Sequence, residues 1–134
     1  MIMPVTYKIY PAKKLIHTMC IGDVSPEEVR DHFRDLERNP HRPDRLNVLL
    51  DLTEATSLPE TQDIRHVSFQ LKELRRSVQF DGCAIVTADD ALFGMMRMFE
   101  VFASDYFVVT QVFREIADAE AWLDSLELAS NFGK

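Results

Sequence analysis

The stretch Leu46-Asn47-Val48-Leu49-Leu50-Asp51-Leu52-Thr53 constrains this chain more than any other. It is a short apolar run that stops at acidic and hydroxyl side chains, and such runs suit strands buried on both faces. We therefore read it as the central strand of an open α/β sheet, whose polar chemistry is expected at the carboxyl end, from Asp51 onward. Cys83 to Ala88 and Tyr106 to Phe113 have the same character and read as two further interior parallel strands.

Helical signals separate these runs. Ser25-Pro26-Glu27-Glu28 has the grammar of a helix start: Ser25 as N-cap, Pro26 at the first helical position and Glu28 closing a capping box. The helix that follows carries a narrow apolar stripe of Val29, Phe33 and Leu36, and Asn39 to Asp44 ends it in a loop stiffened by two prolines. Ser57-Leu58-Pro59-Glu60 repeats the capping grammar and opens a second helix running to about Ser77, with Ile64, Val67, Leu71, Leu74 and Val78 inward. Phe69 projects nearly opposite that stripe among Arg65, Lys72 and Arg76, so these four form a candidate surface for a partner or an anionic face. Asp89-Asp90 caps a third helix, about Ala91 to Ser104, whose apolar arc of roughly 220° is about twice what packing on one sheet face uses. Something besides the sheet is expected to cover it. Asp118 is expected to cap a closing helix with Ala119, Trp122, Leu123 and Leu126 inward, and residues 130–134 read as a frayed tail.

At the amino end, Val5 to Tyr10 and Leu15 to Ile21 alternate about a turn at Pro11 to Lys14, an antiparallel hairpin. His17 shares a face with Leu15, Met19 and Ile21 and has no ligand-spaced partner in sequence, so it reads as a partly buried structural histidine. The order is β-β-α-β-α-β-α-β-α, one α/β domain over residues 1–129 with a mostly parallel, mixed sheet, and no internal repeat or linker.

Composition narrows the functional classes. A formal charge of -7 disfavours nucleic acid, whose binding needs a basic face. The two cysteines, Cys20 and Cys83, sit inside apolar runs and read as buried thiols, which fits a reducing cytoplasm. No apolar run reaches the length of a membrane span, and there is no exported-protein leader pattern, though peripheral membrane contact stays open. Four glycines and no glycine-rich loop argue against a nucleotide fold, and no nucleophile elbow is present.

With Asp51-Leu52-Thr53 closing the central strand, Arg97-x-Phe99-Glu100 in the third helix, and the ending Val112 to Leu123, the chain resembles the SpoIIAA-like family of STAS-type domains. The resemblance covers nearly the whole chain. It implies a non-catalytic role such as anti-sigma-factor antagonism, transporter regulation or ligand sensing. The phosphoswitch of the antagonists needs Asp-Ser-[Ser/Thr]-Gly after the central strand, whereas Pro59-Glu60 stand where the Asp-Ser pair falls. Ser57 and Thr61 are then simpler as helix-start residues.

Two functional readings follow. The first is a non-enzymatic binding or regulatory module without cofactor or metal, in which Met95, Met96, Phe99 and Phe102 form an adaptable apolar surface. That surface would either line a pocket for an apolar, lipid-like ligand, with Arg97 meeting a carboxylate and Thr53 and Ser57 as polar neighbours, or close against a second copy as a homodimer interface or a protein partner. The alternative is a phosphoacceptor or metal-dependent enzyme using Asp51, Thr53, Glu54, Thr87, Asp89 and Asp90. Arg114 stands where receiver-type chemistry wants lysine.

Overall fold

The computed structural model describes residues 4–132, with side chains followed to residue 127. Strand β1 (Val5–Tyr10) turns through a short 3-10 segment into β2 (Leu15–Gly22), and α1 (Pro26–Arg38), β3 (Arg45–Ala55), α2 (Thr61–Leu74), β4 (Gln79–Val86), α3 (Asp90–Phe102), β5 (Val109–Phe113) and α4 (Ile116–Phe132) follow. The five strands lie in chain order, β1 antiparallel to β2 and every other pair parallel, with β3 central. The expected element order and mixed α/β sheet are therefore observed.

Chain order in the sheet decides where the helices go. Right-handed crossovers that always advance in one direction place every crossover helix on the same face. Thus α1, α2 and α3 pack on one face, where Leu36, Ile64, Leu71 and Phe99 meet Ile16, Leu46, Leu52 and Ile85. Only α4 lies opposite, burying Ala119 and Leu123 on Leu49, Ala84 and Val86.

Several boundaries differ from the sequence reading, each for a local reason. Tyr106 to Phe113 is not an interior strand. Tyr106 to Val108 form a turn that buries Phe107 against Phe80 at 5.2 Å, and β5 is an edge strand because no sixth element follows it in the sheet. Helix α2 stops at Leu74 rather than Ser77, since Val78 is fully buried where the chain enters β4. Ser57 does not cap α2: its Oγ accepts the Val24 N–H at 3.1 Å, and Glu60 is the cap, its N–H bound by the Asp63 carboxylate at 3.0 Å. Thr61 is the first helical residue. Asp118 lies within the first turn of α4 instead of capping it. The expected tail is helical to Phe132, and residues 133–134 lie outside the described residues. The Ser25–Glu28 capping box and the Asp89 cap, which accepts the Leu92 N–H at 2.8 Å, form as read. Among the described residues no helix is long and apolar enough to cross a membrane.

Candidate functional site

Open α/β sheets bind ligands where the strand order reverses and neighbouring connections diverge to opposite faces. This sheet has no reversal, so no topological switch point lies at the carboxyl end of β3. Asp51 is instead buried and turned toward the α4 face, where Oδ1 accepts the Thr53 hydroxyl at 2.6 Å and the Thr53 N–H at 3.0 Å. Its Oδ2 lies 3.1 Å from His17 Nε2 on the neighbouring strand. Burial alone would raise the Asp51 pKa, but the bonds from Thr53 and His17 outweigh it and hold the carboxyl below its ordinary value. His17 is thus part of a cross-strand pair that sequence spacing could not reveal. The other candidate acids are spread apart in role: Asp89 caps α3, and Asp90 pairs with Arg114, whose guanidinium lies 4.2 Å from the Phe93 ring. Among the described residues no group of three or more metal-ligating side chains converges.

A larger and more apolar concavity than the one beside His17 and Leu123 lies on the other face. Alternation along β2 and β3 points Ile16, Thr18 and Cys20, and Val48, Leu50 and Leu52, at the three crossover helices. Val29, Phe33 and Leu36 of α1 approach from one side, and Ile64, Val67 and Leu71 of α2 from the other. These stripes are narrow, and they do not fill the space above the sheet. They leave a cavity of about 230 Å³ that also touches Met96 and Phe99 of α3. Val48 and Leu50 stay half-buried in the central strand under two helices because they face this space. Ser25, Pro26, Ser57, Leu58 and Pro59 form its polar-edged end, where α1 and α2 begin, and Leu58 is 54% exposed there.

The wall is chemically quiet. Burial pushes the Cys20 thiol up to about 12, with Asp51 adding to the effect, and raises Cys83 as well, so both thiols stay protonated at neutral pH. Burial pushes His32 down to about 4 despite the nearby Asp35 carboxylate, so the ring is neutral. Its Nε2 lies 3.4 Å from Thr18 Oγ1, while Nδ1 is buried without a partner among the described residues.

Of the residues singled out from sequence, Met96, Phe99 and Ser57 line the cavity. Met95 and Phe102 are half-buried on α3 against the same core but outside it. Arg97 points outward and pairs with Glu100 at 3.8 Å; Thr53 is engaged with Asp51 on the opposite face. The wide apolar arc of α3 is covered largely from within the chain, by α2 and the sheet, leaving Val101 as its exposed member at 71%. On α2, Phe69 is 58% exposed beside the exposed Arg65 and Lys72, Arg76 is exposed in the turn past the helix end, and Arg65 also reaches over the Phe102 ring at 5.7 Å. The α1 wall, and His32 in particular, was not singled out from sequence as part of a site. The available signal was the narrowness of its stripe.

Comparison with known proteins agrees with this geometry. The SpoIIAA-like family model matches residues 15–124. No curated protein matches significantly. Among solved structures, the chain is similar to an uncharacterized protein with a SpoIIAA-like fold from Shewanella loihica PV-4, at 18% identity and a TM-score of 0.59, over 89% of this chain and 93% of that one.

Proposed function

The chain belongs to the SpoIIAA-like family, and from that premise we propose a non-enzymatic regulatory module that takes an apolar, lipid-like ligand into the cavity beneath α1 and α2. The observation that carries this reading is the cavity itself: about 230 Å³ in the core of a small domain, walled mainly by aliphatic and aromatic side chains. Native cores hold few voids larger than a water molecule, because each void forfeits dispersion contacts. A void of this size is therefore a cost unless a guest recovers it. Helix α2 connects the cavity to the outside. Its inward face supplies Ile64, Val67 and Leu71, and its outward face displays Phe69, Arg65 and Lys72, with Arg76 just past its end, where a protein partner or a second copy would sense whether the cavity is filled. Buried, protonated thiols and a neutral histidine leave the cavity wall without an activated nucleophile, which supports binding over catalysis.

Native mass spectrometry of the protein purified from cells tests both halves, since it reads bound small molecules and oligomeric state together. A ligand at a hundredfold its dissociation constant should stabilise the fold by roughly 2.7 kcal/mol, a melting shift of roughly 8 °C for a chain of this size. Val67→Trp, which fills the cavity from α2, should abolish that shift while keeping cooperative unfolding. Protein that carries no ligand, shows no shift with apolar compounds and remains monomeric would overturn the reading.

A further inference from the structure

Resting on the reading that the cavity is a ligand site, we infer that it selects uncharged amphiphiles carrying one oxygen function, such as medium-chain alcohols and ketones, and rejects the corresponding carboxylates. Among the described residues no lysine or arginine lines the cavity. A carboxylate entering it would lose its hydration with no counter-ion to replace it, the most unfavourable kind of burial. Arg97, the cation that sequence alone would assign to such a head group, lies outside the lining and is paired with Glu100.

The polar-edged end repels anions as well. It lies where α1 and α2 begin, and free helix N-termini attract anions through unpaired N–H groups and the helix dipole. Here part of that set is already engaged within the chain, and acids stand beside it. Glu28 Oε1 accepts the Ser25 N–H at 3.0 Å, Asp63 Oδ2 accepts the Glu60 N–H at 3.0 Å, and Glu27 and Asp63 add negative charge in the first turns. Asp63 also lines the cavity, its one acidic residue among those described. A second anion at this end would meet like charge.

An uncharged oxygen is treated differently. Ser57 Oγ accepts from Val24, and among the described residues its own proton has no acceptor. That hydroxyl is available to a ligand carbonyl or hydroxyl oxygen at the rim, while the chain runs inward over Leu50 and Val48. Size sets the length. A cavity of 150 Å³ accepts benzene, so 230 Å³ accommodates roughly nine heavy atoms.

The test compares 1-octanol, 2-octanone and sodium octanoate on the delipidated full chain at pH 7.5, by thermal shift and by titration calorimetry. The alcohol and the ketone should bind at least tenfold more tightly than octanoate. Octanoate binding as tightly as octanol would overturn the selectivity while leaving the cavity reading intact. Failure of all three to bind would overturn both. Leu58→Lys, at a half-exposed position on the rim, supplies the missing cation without disturbing the core. It should raise the affinity for octanoate relative to octanol several-fold, and an unchanged ratio would refute the electrostatic basis.

Discussion

His32 should make this protein acid-labile well above the range in which carboxylates titrate. The ring is held neutral by burial, with its pKa pushed down to about 4 from an ordinary value of 6.5. Between those values the unfolded chain binds a proton that the folded chain refuses, so stability falls as pH drops from 6.5 toward 4 and is flat below and above that window. At about 1.4 kcal/mol per pH unit, the gap is worth about 3 kcal/mol, an upper figure for a ring that retains some exposure. The neighbours leave little to offset it. Thr18 meets Nε2 at 3.4 Å, Tyr7 and Phe33 present ring contacts at 5.1 and 5.6 Å, and Asp35 supplies only a weak opposing attraction. His32→Leu removes both the titration and the unpartnered Nδ1, whose burial costs about 1–3 kcal/mol. The variant should be at least as stable as the parent at pH 7.5 and clearly more stable at pH 5. Urea melts at half-unit steps from pH 7.5 to 4.5 measure this. Parallel curves for parent and variant would show that the stability loss originates elsewhere and refute the argument.

Asp51→Asn should cost about 2–3 kcal/mol at pH 7, because the carboxylate holds two bonds from Thr53 and one from His17. The parent's own Asp51 contribution should persist down to pH 3.8 and vanish only as pH falls through the lowered folded value, which carbonyl NMR titration would resolve from the His32 window. Gly82→Val should destabilise by about 1–3 kcal/mol in denaturant melts, since even a Cβ there would lie 2.7 Å from Leu126 Cδ1 and 3.3 Å from Asn47 Oδ1. A neutral Gly82→Val would show that α4 packs on β4 more loosely than described.

What was legible in the sequence was local. The Ser25 capping box, the Asp89 cap and the apolar runs of β3 and β4 depend on neighbours a few residues away; the caps form as read and both runs lie in strands, although β4 spans Gln79–Val86 rather than Cys83 to Ala88. What was missed depends on strand order. His17 finds Asp51 only because β2 pairs in parallel with β3 in a register that sets Met19 beside Asp51. Ser57 serves Val24 because the loops after β2 and β3 meet in space. Periodicity showed that α3 is apolar around most of its circumference, but not that α2 would cover the excess. The unfilled volume arose instead beneath α1 and α2, whose narrow stripes meet the sheet without filling the space above it.

A sheet whose strands follow chain order also has a history. Each strand needs only the one made before it, and the last residue that touches the cavity is Phe107, ahead of β5 and α4. Domains emerge from the ribosome amino end first, so the cavity walls can assemble while the final strand and helix are still being synthesised. A hydrophobic guest can then be enclosed by the nascent chain as the core closes, before any gate is needed.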